Sequence, residues 1–195
     1  MTKFKILAEG YAKKRGSVWQ ASSTSVLIID NGKKIVVDPG ANREMLLAGL
    51  AEAGLKPPDV DLVFLTHCHL DHILNIRLFP DVPIYDGNTI NDGDKILEYS
   101  GNIPGTSVEV INTPGHAGEH TSLLITADLG KVAIAGDVFW WPDGQRQEID
   151  REKLLDLEDE FAESRKLLSA SRKKILAVAD YVIPGHGRMF QSLKK

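Results

Sequence analysis

Three imidazoles and a carboxylate crowd into the segment Leu65-Thr66-His67-Cys68-His69-Leu70-Asp71-His72. Nothing else in the chain restricts its fold as strongly. Without a cation among them, protonated histidines at this spacing would repel one another. Neutral imidazole and carboxylate are the donors that zinc and similar divalent ions prefer. The apolar run Val60–Leu65 reads as a strand leading into the cluster. Side chains alternate along an extended segment, so His67 and His69 point the same way and can share one ion. A turn after them redirects Asp71 and His72 toward a second ion. The same alternation turns Cys68 away, and it reads as a packing residue.

Three later positions repeat the theme singly. His116 sits in Thr113-Pro114-Gly115-His116, Asp137 follows Val132-Ala133-Ile134-Ala135-Gly136, and His186 sits in Ile183-Pro184-Gly185-His186-Gly187. Taken alone, each reads as a turn residue, a cap or a hydrogen-bonded histidine. Together with the cluster they point to one metal centre built from several strand ends. His120 is the one histidine left over.

Short apolar runs predict strands at 25–30, 33–38, 60–65, 108–112, 122–127, 131–135 and 181–183. Asn31-Gly32 and Asp128-Leu129-Gly130 are hairpin turns joining the strands on either side. Arg43–Ala53 reads as a helix, with Leu46, Leu47, Leu50 and Ala51 on one face and Gly54 as its stop. A short helix is expected after His72. A longer one is expected over roughly 151–179, where Leu154, Leu157, Phe161, Leu168, Ile175 and Ala179 recur at helical spacing. The hairpin from Ser25 resembles the one from Ser122, and each leads to an aspartate, Asp38 or Asp137. Two such halves, each β-rich and carrying helices, suggest an α/β fold of two packed sheets with helices outside.

The 195 residues suit one domain. No apolar run is long enough to span a bilayer, and the opening residues carry no apolar leader. A single cysteine excludes an intrachain disulfide and suits a reducing compartment, so a cytoplasmic protein is expected. A net charge of −4 argues against a chain that coats nucleic acid indiscriminately.

The histidine and aspartate pattern resembles the metallo-β-lactamase superfamily. Its H-x-H-x-D-H signature is matched by His67, His69, Asp71 and His72, and its later His, Asp and His by His116, Asp137 and His186. The resemblance runs from the hairpin at 25 to Gly187 and implies a four-layer αββα sandwich. It implies that His67, His69 and His116 hold one metal, that Asp71, His72 and His186 hold the other, and that Asp137 bridges them. Two zinc ions are the default cofactors, with iron or manganese as alternatives. Asp38, in a D-x-G-like turn, would be a structural hydrogen-bonding residue. His69 stands where the diiron flavoprotein reductases carry Glu. The compact frame and the tail from Ser171 to Gly187 are similar to a compact group within that superfamily, some of whose animal relatives are associated with RNA cleavage.

The implied activity is a hydrolysis of ester-type bonds, meaning phosphoesters, lactones or thioesters, with Asp71 handling the water's proton. An RNA endonuclease and a mononuclear iron oxygenase of the persulfide dioxygenase type are the alternatives. The expected partner is a small ester or phosphoester, with RNA as the second candidate and no membrane; a homodimer is compatible with the sequence. His120 is expected to support the site or touch substrate. Trp140 and Trp141, leaving Asp137 in a rim loop, are expected to wall the cleft. Arg172-Lys173-Lys174 and Arg188 are the basic residues available to a phosphate chain, although the triplet faces several directions.

Overall fold

The computed structural model describes residues 1–192. In chain order the strands are β1 (Lys3–Ala8), β2 (Tyr11–Arg15), β3 (Val18–Ser22), β4 (Ser25–Asp30), β5 (Lys33–Val37), β6 (Leu62–Phe64) and β7 (Ile84–Tyr85). They continue as β8 (Thr89–Asp92), β9 (Lys95–Glu98), β10 (Glu109–Asn112), β11 (Thr121–Ala127), β12 (Gly130–Trp140), β13 (Tyr181–His186) and β14 (Phe190–Gln191). The helices are α1 (Arg43–Glu52), α2 (Leu70–Ile73), α3 (Arg151–Leu155) and α4 (Arg165–Val178). One sheet runs β1-β4-β5-β6-β7-β8-β9 and the other β10-β11-β12-β13-β14, while β2 and β3 form a separate hairpin.

Alternation sorts the side chains into three apolar layers. Val26 and Ile28 of β4, Ile35 and Val37 of β5, and Leu62 and Phe64 of β6 meet Leu123, Ile125, Val132, Ile134 and Ile183 between the sheets. The intervening Leu27, Val36 and Val63 face outward onto Leu46 and Leu50 of α1. On the opposite side, Leu124, Ala133, Ala135 and Val182 meet Leu154, Leu168, Ile175 and Leu176 of α3 and α4. Two sheets with a helical layer on each outer face give the expected αββα sandwich.

The repeat read in the sequence has a structural counterpart. β4 and β5 form an antiparallel hairpin, α1 crosses over, and β6 returns parallel to β5. β11 and β12 do the same, α3 and α4 cross over, and β13 returns parallel to β12. Thus Asp38 and Asp137, and likewise His67 and His186, come from corresponding places in the two halves.

Several boundaries differ from expectation. The long helix over 151–179 is two helices, because Asp156 leaves helical geometry and Ser164 starts α4 as its N-cap. The carbonyls of Leu155 and Leu157 at the break are taken by the Arg172 guanidinium. The helix expected after His72 starts before it, at Leu70. β12 runs five residues past the expected 135, to Trp140. β1–β3, β7–β9 and β14 were not expected; most are short, or carry lysines and other polar residues that blur the alternation.

Gly49 shows packing overriding local propensity. A helical glycine replaced by alanine normally gains stability, roughly 0.5–1 kcal/mol. Here an added Cβ would lie 2.0 Å from the Leu7 carbonyl oxygen of β1. Gly49→Ala should therefore destabilise the fold, by about 1–3 kcal/mol. Chemical denaturation of the variant checks the sign.

Candidate metal centre

Both central parallel strands end at the same edge of the sandwich. His67 and His69 follow β6, α2 carries Asp71 and His72, and His116 lies between β10 and β11. The β12–β13 register jumps on either side of Gly136, an irregularity that turns Asp137 out of the ladder. Gly136 has φ 51°, and an added Cβ would fall 2.7 Å from both His120 Nε2 and Thr66 Oγ1. Gly185 is equally confined, since its Cβ would lie 1.8 Å from Asp137 Oδ1.

All seven expected ligands converge in two groups. His67, His69, His116 and Asp137 offer donor atoms within 4.8 Å of one another, and so do Asp71, His72 and His186. His116 Nε2 lies 2.9 Å from His69 Nδ1 and 3.3 Å from Asp137 Oδ2. The other oxygen, Asp137 Oδ1, lies 3.2 Å from His72 Nε2 and 3.6 Å from His186 Nε2. The Asp137 carboxylate thus spans the two groups. His186 Nε2 also lies 3.1 Å from Asp71 Oδ2.

The hydrogen bonds behind these rings fix which nitrogen faces inward. Thr66 Oγ1 donates to Asp38 Oδ2 at 2.7 Å, so at 3.0 Å it must accept from His67 Nδ1–H. That leaves the lone pair on His67 Nε2. His72 Nδ1 donates to Asp38 Oδ2 at 2.8 Å, His116 Nδ1 to Asp159 Oδ2 at 2.8 Å, and His186 Nδ1 to the Tyr11 carbonyl at 3.0 Å. Four histidines therefore present Nε2 to the centre, and His69 presents Nδ1. His67 Nε2, His72 Nε2 and Asp137 Oδ1 are buried with no hydrogen-bond partner. Orphaned buried atoms are rare, and a cation among them would satisfy all three. The donor set of imidazoles and carboxylates fits a divalent ion.

His120 lies close to the other rings but is already committed. Its Nε2 accepts the Asp137 backbone N–H at 3.1 Å, so its Nδ1–H donates to Thr113 Oγ1 at 3.0 Å. Thr113 then donates to Ser122 Oγ, which donates to the Ala135 carbonyl. Burial lowers the His120 pKa to about 3, keeping it neutral. It props the strand beneath Asp137 and is in neither ligand group.

Two expectations about side chains are corrected. Cys68 is exposed, not packed, because the extended segment turns it to solvent when its neighbours face in. Trp141 is no wall of the cleft; it packs edge-on against Phe190 in the outer core. Trp140 belongs to β12 and does line the cavity beside the ligands, with Trp19 and Phe161. Arg172 of the basic triplet is buried, its Nε donating to the Val138 carbonyl, and is not available to a phosphate chain. Asp159 was missed: only the three-dimensional approach of 157–163 to His116 reveals it, and the helical pattern hid that loop.

A sequence model of the metallo-β-lactamase superfamily matches residues 18–87. Metallo-β-lactamase domain-containing protein 1 of Xenopus laevis is 34% identical, the alignment covering 97% of this chain and 81% of that protein. A hydroxyacylglutathione hydrolase of Xylella fastidiosa is 33% identical over 50% of this chain and 39% of its own. A solved structure from Thermotoga maritima, described as a candidate metallo-β-lactamase, superposes with a TM-score of 0.72 at 21% identity, covering 97% of this chain and 99% of that one.

Without metal, protons hold the site together. Burial pulls the His186 pKa down, but the charge of Asp137 and its contacts with Asp137 and Asp71 outweigh this and raise it to about 9. Burial opposes and Asp137 and Asp38 likewise raise His72, while His72 and His186 hold Asp137 well below the usual carboxylate range against its burial. A raised folded pKa contributes stability below the unfolded value near 6.5 and loses it as pH climbs through the folded one. Metal-free protein should therefore melt at progressively lower temperature from about pH 6.5 to pH 9. Added zinc, which displaces these protons, should flatten that decline in a thermal-shift series. Asp159→Ala frees the His116 ring and should weaken metal binding roughly 10- to 100-fold in a chelator competition.

Proposed function

The chain belongs to the metallo-β-lactamase superfamily of metal-dependent hydrolases, and we propose that it is a dinuclear, zinc-dependent hydrolase of ester-type bonds. The observation that carries this reading is the pair of ligand groups spanned by one carboxylate. A closed structural site needs four ligands; seven residues in two groups, opening onto a cavity, suit two catalytic ions. Cys68 is in neither group, so the donors are nitrogen and oxygen alone, a set that suits zinc. The hydroxyacylglutathione hydrolase among the relatives is consistent with ester-type chemistry.

Divalent cations bound there would acidify water and polarise the scissile carbonyl or phosphoryl oxygen. Asp137, anionic at neutral pH, holds the two ligand groups in register. Asp71 is the ligand-group carboxylate with the more exposed side chain, and its pKa is lowered by contact with His186 and His72 against its burial. We assign it to orient the attacking water and take its proton. Water adds to the carbonyl carbon or phosphorus, the bond to the leaving oxygen or sulfur breaks, and the proton passes to the leaving group. His120 stays neutral and takes no part in the proton transfer.

Elemental analysis of zinc-supplemented protein should give two metals per chain. Asp137→Ala should lose at least one of them and nearly all activity with the fold retained. His120→Ala should keep both. Asp71→Asn should lower kcat by about 100-fold or more on an ester substrate. One metal per chain in the wild type would overturn the dinuclear reading.

A further inference from the structure

We infer that the cavity beside the metal centre is an acyl-binding cleft for uncharged, apolar ester-type substrates, and that Trp19, Trp140 and Phe161 set this preference. The inference rests on the hydrolytic reading above and adds the substrate class.

The cleft encloses about 460 Å³, within the range for a small-molecule site. One end is made by His69, Asp71, His116, Asp137 and His186. The rest is apolar. Trp19 of β3 meets Trp140 of β12 edge-on at 6.0 Å and Phe161 at 5.7 Å, and Trp140 lies 5.8 Å from Phe161. Ala12, Ala21 and Ala41 line it with little bulk. Three large hydrophobic side chains of the lining remain exposed: Leu70 at 66%, Leu74 at 49% and Phe161 at 47%. Exposed apolar side chains gathered beside reactive groups mark a binding surface. An apolar acyl chain covers them.

Charge argues against a polyanion. Among the described residues, no lysine or arginine lines the cleft. Of the nearby cations, Lys14 pairs with Glu160 at 2.9 Å and lies over the Trp19 ring, while Lys13 and Arg188 keep solvent-accessible side chains and meet Asp143 and Glu9 only at 3.8 Å. Binding a nucleic acid strand draws its affinity from several free cations along the phosphate path. The aromatic surface could stack on bases, but among the described residues the cleft itself offers no cation to their backbone.

The test has two arms on the full chain. In the first, calorimetry on metal-free protein compares octanoate with acetate. Octanoate should bind at least tenfold more tightly, and both Trp19→Ala and Leu74→Gln should reduce that preference. Leu74 is half exposed, so its variant tests the cleft even if Trp19→Ala fails to fold. In the second arm, zinc-loaded protein is given p-nitrophenyl acetate, p-nitrophenyl hexanoate and a single-stranded RNA oligomer. About fourfold for each of the four extra methylenes, if all are buried, predicts a kcat/KM for the hexanoate roughly 250-fold above the acetate. Equal binding of octanoate and acetate, a preference unchanged in Leu74→Gln, or a kcat/KM for RNA above that for the hexanoate overturns the inference. If octanoate is preferred but no ester is cleaved by the zinc-loaded protein, the cleft stands and the hydrolytic reading falls.

Discussion

The carboxylate of Asp38 is the contact on which the metal centre depends. Oδ1 accepts the Thr66 backbone N–H at 2.8 Å, while Oδ2 accepts the Thr66 hydroxyl at 2.7 Å and His72 Nδ1–H at 2.8 Å. One buried group thus fixes where the chain leaves β6, which tautomer His67 adopts through Thr66, and the ring orientation of His72. These are charge-assisted bonds in a dry environment, the strong kind. The geometry has a local cost, because Asp38 sits at φ 46°, where side chains are uncommon. Such a conformation persists only when its surroundings determine it, and here three hydrogen bonds on the side chain do so.

The second half solves the same problem differently. At the place where Asp38 holds the ligands from outside, Asp137 enters the ligand set itself. The change is made by backbone. β12 bulges at Gly136, and Gly185 of β13 gives the carboxylate the space that a methyl group would take. The bulge would leave the Asp137 N–H without a ladder partner, and His120 Nε2 accepts it. A buried neutral histidine in this role explains a residue that looks like a ligand by composition and stays outside both groups.

How much of this was legible in the sequence follows from the range of each interaction. The hairpins at Asn31-Gly32 and Asp128–Gly130 and the apolar runs of the central strands are local patterns, and they read correctly. The residues that converge in the two groups stood out in the sequence because imidazoles clustered after a strand have little structural use. His120 could be placed near the site but not given its role, since that depends on the Asp137 N–H freed by a bulge. Trp140 and Trp141 are neighbours with opposite fates, and only the face each strand side chain takes beyond the bulge separates them. Asp159 was invisible for a further reason. Leu154, Leu157, Phe161 and Leu168 mimic one continuous helix, but that helix would have carried Asp159 away from His116. The structure breaks it, and Arg172 from α4 caps the carbonyls that the break exposes.

That broken segment ties the metal centre to its cleft. Asp159 orients His116, Glu160 pairs with Lys14 of the β2–β3 hairpin, and Phe161 packs on Trp19 of the same hairpin. The Asp159 carboxylate also accepts the Phe161 backbone N–H at 2.9 Å, so ligand anchor and aromatic wall share one turn. On the other side of the hairpin, the Tyr11 carbonyl accepts His186 Nδ1–H at 3.0 Å, and Asp143 bonds the Ala12 N–H. The hairpin belongs to neither large sheet; besides these contacts, Ser22 Oγ accepts the Ala41 and Asn42 N–H groups and Tyr11 Oη accepts from Asn42 Nδ2. Displacing it would therefore loosen a ligand from each metal group, His116 through residues 159–161 and His186 through Tyr11. The aromatic residues Trp19 and Phe161 and the anchors Tyr11 and Asp159 share one hairpin and one turn, so a shift of that hairpin moves the cleft and the metal centre together.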